Sequence, residues 1–154
     1  SAATHVGLLL GLRLLGSEIA VYGICVRRDK KQQTLRVKSI VRLAEKLIGC
    51  GQVVQDSDVK CYDDWLCPGY GKTNALVHES MTLAGNLEGM IVDPVYTAKS
   101  LAGALGLFRH GVFNEGQNVL YLHTGGMPAV FAYEDELTTK LSEDLSITNL
   151  DHMT

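Results

Sequence analysis

Much that would narrow a function quickly is missing from this sequence. No apolar run approaches the roughly 20 residues that a membrane-spanning helix needs. Val6–Leu15 is the nearest, and glycines and Arg13 interrupt it. It also lacks the basic start and downstream cleavage pattern of a secretory signal, so it reads as a buried helix. Positive charge is not in excess: 14 Lys and Arg stand against 17 Asp and Glu, a net charge of -3. That leaves no footprint for nucleic acid or an anionic membrane, and neither is expected as a partner. The four cysteines, Cys25, Cys50, Cys61 and Cys67, show no CxxC spacing and no histidine ladder, which argues against zinc. They read as reduced, structural thiols, with Cys25 in an apolar strand run. A reducing compartment follows, the cytoplasm or an organellar matrix. Repeats, low-complexity tracts and Pro/Ser-rich linkers are absent, and 154 residues suit one domain with a real core.

What is present alternates between two periodicities. Thr4–Leu15 reads as a helix ended by Gly16, and Ile19–Val26 as a strand. Asp29 can cap the next helix, with Gln32 three residues on as in a capping box. That helix carries Leu35, Ile40, Val41, Ala44, Leu47 and Ile48 on one side and stops at Gly49 and Gly51. Val53–Cys61 reads as a short strand and Tyr62–Thr73 as an irregular segment. Asn74–Asn86 is helical, Gly89–Val92 a strand, Thr97–His110 helical and Gln117–Leu122 the last strand. Strands alternating with amphipathic helices predict an α/β fold, a parallel sheet flanked by helices with right-handed crossovers. The segment after Tyr133 is polar and reads as peripheral or frayed, a tail over 138–154 outside the domain.

Two strand tips stand out. Val119–Pro128, VLYLHTGGMP, stops an apolar run at His123, Thr124, Gly125 and Gly126. Ligands of open parallel sheets sit just beyond the carboxyl ends of strands, and paired glycines let a backbone come close to one. Asp93–Ser100, DPVYTAKS, has the same design, with Tyr96 and Thr97 at the tip before a helix. In the irregular segment, CPGYGKTN (Cys67–Asn74) flanks Tyr70 with glycines that can aim its ring.

These three ordered motifs, with the continuation VLYLHTGGMPAVFAY, resemble the carboxyl-terminal half of the D-cysteine desulfhydrases. Those form one family with the 1-aminocyclopropane-1-carboxylate deaminases, pyridoxal-phosphate enzymes of the tryptophan-synthase-β-like fold. The resemblance runs from Ser1 to about Tyr133 and implies the carboxyl-terminal part of that fold's large domain. It implies that Ser1, Ala2, Ala3 and Thr4 form the phosphate loop of pyridoxal 5'-phosphate, although alanines stand where the family commonly has glycines. It matches Tyr70 and Tyr96 to the two active-site tyrosines, which contact substrate and serve in proton transfer. Deaminases carry a glutamate at the position of Thr97 and a leucine at that of Thr124. The small hydroxyl residues here lean toward D-cysteine desulfhydrase, with Thr97, Thr124 and Gly125 expected at the cofactor.

Each residue also has a plainer reading. Ser1 or Thr4 can be a simple helix cap, and both tyrosines can be packing rings with one satisfied hydroxyl. Lys72 and Lys99 read as solvated or ion-paired, the matching lysine not being the one that binds cofactor. His5 and His123 lie beside the loops, and His78 and His110 read as surface residues. Asp93 reads as fixing its turn. The family's cofactor-binding lysine and its carboxylate-gripping Ser-Asn segment come from the amino-terminal half. This chain is therefore expected to be part of a larger enzyme, inactive alone, with that half or a partner chain completing it. A homodimer of the whole and a small amino-acid substrate complete the expectation. The alternatives are a deaminase, or a non-catalytic subunit on a degenerate version of the fold.

Overall fold

The computed structural model describes residues 2–139. Helix α1 (Ala3–Leu14) leads to strand β1 (Tyr22–Ile24), the long helix α2 (Lys30–Ile48), strand β2 (Lys60–Tyr62) and two further helices, α3 (Ala75–Glu88) and α4 (Thr97–Arg109). The strands are parallel, with Gly23 opposite Cys61, so α2 is the crossover between them.

Local chemistry explains the ends. The Asp29 carboxylate accepts from the Gln32 amide 2.7 Å away at the start of α2, and the Asn74 side chain accepts from Val77 at 2.9 Å at the start of α3. Gly49 and Gly89 end the same two helices. Arg13, at the end of α1, donates to the carbonyls of Ser17 and Ile19 and to Asp58. It thereby ties the α1 exit to the 3-10 helix Asp56–Asp58 that precedes β2.

One core forms where α1 and α2 cover the strands, around Leu9, Val37, Val41, Val54 and Cys61. A second lies between α3 and α4, around Val77, Ala84, Val92 and Ala98. A third, around Trp65, Ala102 and Leu107, packs α4 against Tyr22, Ile24 and Tyr62 of the strands, with the Trp65 ring so close to Gly106 that a Cβ there would sit 2.0 Å from it.

Several expectations need correction. The segments 89–92 and 117–122 are not strands, because no neighbouring strand pairs with them among the described residues. Some of their apolar side chains are correspondingly bare, Ile91 at 61% and Leu120 at 91% exposed, while Val92 is buried in the core between α3 and α4. The expected strand Val53–Cys61 shrinks to Lys60–Tyr62 behind the 3-10 helix. On α2 the buried residues are Val37, Val41 and Glu45, while Leu35 and Leu47 face outward. Glu45 is buried because its carboxylate receives the amides of Val53 and Val54, both at 2.9 Å, and the Arg42 guanidinium at 2.7 Å. The hydrophobic pattern could not reveal a carboxylate that substitutes for a core residue by binding three donors. Beyond Tyr133 the chain continues as helix over 134–139, and Glu136 contacts Thr73 and His78. The rest of the expected tail lies outside the described residues.

Candidate active site

The site is built on one buried carboxylate. Asp93 is fully enclosed and accepts from the amides of Val95, Tyr96 and Thr97 at 2.8–2.9 Å and from the Thr97 hydroxyl at 2.6 Å. That hydroxyl in turn accepts from the Asp93 amide at 2.7 Å. A carboxylate among the free amides of a helix start is favoured by charge as well as by bonding. Asp93 thus fixes the turn, as its place before Pro94 suggested, and presents Tyr96 at its tip.

The HTGG turn hangs on this same stretch. The Tyr121 hydroxyl donates to the Thr97 carbonyl at 2.8 Å and lies 3.3 Å from the Ser100 hydroxyl. His123 Nδ1 accepts from the Gly125 amide, which leaves the proton on Nε2 to be donated to the Ile91 carbonyl at 2.9 Å. Gly126 lies directly against the Asp93 carboxylate, where a Cβ would come within 2.5 Å of Oδ1.

The Tyr70 segment meets the Asp93 turn. The hydroxyls of Tyr70 and Tyr96 are hydrogen-bonded to each other, with ring centroids 6.0 Å apart and planes at 64°. Both rings remain open to solvent, 47% and 42% exposed. The Tyr70 hydroxyl raises the ionisation of Tyr96 above the ordinary phenol range, and burial adds to it. The Arg27 guanidinium, just beyond β1, stands 5.5 Å over the Tyr70 ring. The Tyr133 hydroxyl donates to the Gly71 carbonyl at 2.7 Å, and His78 lies 3.0 Å from the Thr73 hydroxyl, half-buried rather than on the surface.

Lys99 was expected to be solvated or ion-paired and is neither. It is fully buried, and its ammonium donates to the carbonyls of Leu66, Gly69 and Lys72 at 3.2, 2.7 and 3.1 Å. Lys72 is exposed, as expected. His110 is exposed at the end of α4, its ring 6.0 Å from that of Trp65.

The remaining expected residues divide. Thr124 is exposed on the turn, next to Gly125. Thr97 is fully buried with its hydroxyl engaged by Asp93, so it faces the turn and not open space. Ser1 lies outside the described residues. Ala2 is buried before α1, while Ala3 and Thr4 are exposed in its first turn. The first turn of α1 has no acidic residue and no side-chain cap, and the Val6 amide makes the first intrahelical bond, to Ala2. The amides of Ala3, Thr4 and His5 are thus the set that a phosphate would take. Ala2 has φ -152°, and among the described residues none other than glycine has positive φ, so the alanines cost no backbone strain here. This donor set and the open tyrosine pair fit a phosphorylated cofactor. Among the described residues no group of three His, Cys, Asp or Glu side chains could hold a metal, and no helix is long and apolar enough to cross a membrane.

Comparison with known proteins agrees with the motifs. The D-cysteine desulfhydrase of Salmonella typhi is 38% identical over 133 residues, covering 86% of this chain and 40% of that protein. The D-cysteine desulfhydrase of Salmonella newport (strain SL254) is 37% identical over the same length. The crystal structure of an ACC deaminase homologue matches with a TM-score of 0.77 and 34% identity, over 87% of this chain and 39% of that one. The chain is therefore homologous to D-cysteine desulfhydrases and shares the fold of the deaminase homologue over the matched part, with helices flanking a parallel sheet. It spans about two fifths of the length of the relatives it matches. No family model matches the sequence.

Proposed function

We propose that this chain is the carboxyl-terminal part of a pyridoxal-phosphate-dependent lyase that degrades D-cysteine. The overall reaction is D-cysteine plus water to pyruvate, hydrogen sulfide and ammonia. The observation that carries the reading is that the other two motifs both meet the Asp93 turn, the glycine turn at Gly126 against its carboxylate and the Tyr70 loop through the bond between the Tyr70 and Tyr96 hydroxyls. Bound cofactor supplies an electron sink for the substrate's α-carbon. The residues that would hold its phosphate are those at the start of α1, Ser1, Ala2, Ala3 and Thr4, through the free amides of that helix end, and Thr124 and Gly125 would serve its ring. Thr97 acts from beneath, by holding Asp93 and hence the turn that presents Tyr96. Tyr96 keeps its proton at neutral pH, since its ionisation is raised, and can pass it along the bond to Tyr70. The Arg27 charge over the Tyr70 ring favours an anionic group, such as a substrate carboxylate, approaching the pair.

The lysine that binds cofactor and the segment that grips the substrate carboxylate are supplied from outside this chain, which is inactive alone. The whole enzyme is a homodimer in a reducing compartment. The structural match to a deaminase homologue favours deamination of 1-aminocyclopropane-1-carboxylate as the second reading. The neutral Thr97 and Thr124 oppose it.

The test is sulfide release from D-cysteine by the full-length protein, beside ammonia release from the cyclopropane substrate. Sulfide release should exceed ammonia release by a large factor, and Tyr96→Phe should cut it by about 10²-fold or more. Equal or inverted rates would overturn the desulfhydrase reading. An upstream coding sequence without an asparagine-lysine cofactor motif would overturn the enzyme reading itself.

A further inference from the structure

We propose that Lys99 is a positioning residue that sets the Tyr70 hydroxyl against that of Tyr96 by gathering three backbone carbonyls of the Tyr70 loop onto its ammonium. The inference rests on the reading of the tyrosine pair as the proton-handling point. It begins from an imbalance. A fully enclosed ammonium is costly unless every proton is bonded, and the usual compensation is a carboxylate. Among the described residues Lys99 has no such partner: its three protons go to the carbonyls of Leu66, Gly69 and Lys72. Burial accordingly pushes it below the ordinary lysine range, with Cys67 opposing.

What this arrangement achieves is the course of the loop. Carbonyls at 66, 69 and 72 all turn inward to one point, which forces the chain between them to arch, with Tyr70 on the arch. An apolar side chain of the same volume would leave three carbonyls unpaired in its place. Lys99 also follows Tyr96 by three residues, one helical turn, on a helix whose start Asp93 locks. A single rigid element therefore presents Tyr96 and grips the loop that carries Tyr70. Tyr133 adds a second hold, on the Gly71 carbonyl. A reactive-amine role is incompatible with full burial and three engaged protons.

The experiment is tyrosine titration by ultraviolet difference spectroscopy on the full-length protein, with Tyr96→Phe subtracted to isolate the pair. Charged groups facing the pair, Arg27 over Tyr70 and Asp93 behind Tyr96, are unchanged in the variants. In Lys99→Met with native circular dichroism, the raised titration should return toward the free-tyrosine value of about 10. Sulfide release should fall by about 10²-fold in kcat with KM little changed. If Lys99→Met does not fold, Lys99→Gln keeps one donor group for the carbonyls and should show a partial return. A folded variant whose pair titrates as in the parent overturns the positioning role. Loss of the shift in a protein that never released sulfide would sink the desulfhydrase reading and leave this one standing.

Discussion

Gly125 and Gly126 offer a controlled comparison, because they share a backbone conformation and differ in what lies beside them. Their φ angles are 92° and 96°, in the left-handed region that penalises any Cβ. An alanine at either position should therefore cost about 1–2 kcal/mol in backbone strain. At Gly125 nothing lies within 4 Å of the new carbon, so strain is the whole cost. At Gly126 the new carbon meets Asp93 Oδ1 at 2.5 Å and its Cγ at 2.8 Å. That carboxylate cannot step aside, since four donors hold it and it has no exposed surface. Overpacking against so fixed a group should add about 2 kcal/mol. Gly126→Ala should thus be about 2 kcal/mol less stable than Gly125→Ala, a further loss of roughly 4–8 °C in Tm for a chain of this size. Urea unfolding of the two variants side by side measures it. Equal midpoints would refute the claim that the glycine turn is seated on the Asp93 carboxylate.

Three further outcomes follow from the same contacts. Thr97→Val removes a hydroxyl that both donates to and accepts from Asp93 in a closed site, and should cost about 1–3 kcal/mol in chemical denaturation. Glu45→Ala should cost about 3 kcal/mol, since the Val53 and Val54 amides and Arg42 lose a buried acceptor, and a loss under about 1 kcal/mol would count against it. Stability should also fall in acid. Burial alone would raise Glu45, but the Val54 and Val53 amides and Arg42 outweigh it, and Arg13 lowers Asp58. Both carboxyls therefore bind protons less readily folded than unfolded. Their contribution is present above the unfolded carboxyl range near pH 4 and disappears as pH drops through the lowered values. A pH series of urea midpoints that stays flat from pH 6 to pH 3 would contradict it.

Helix periodicity and caps carried α2, because Asp29 and Gly49 act through bonds within a few residues. Strands proved less legible. The apolar runs at 89–92 and 117–122 are strand-like in composition, but a ladder needs a neighbour, and none is present among the described residues. Of the site, the three motifs and the Asp93 turn could be read because each is contiguous. The bonds between motifs could not. Lys99 looked like a surface lysine, since its three partners are backbone carbonyls that leave no trace in residue identity. Glu45 escaped for the same reason.

The stretch from Tyr121 to Gly126 is anchored at three separated points, the Thr97 carbonyl, the Ile91 carbonyl and the Asp93 carboxylate. Three supports locate a rigid body, whereas two leave it an axis to rotate about. Removing the Tyr121 hydroxyl would leave His123 and Gly126 as a hinge line, about which Thr124 could swing. The placement of Thr124 is thus a matter of mounting, decided by a phenol bonded to the α4 backbone at Thr97.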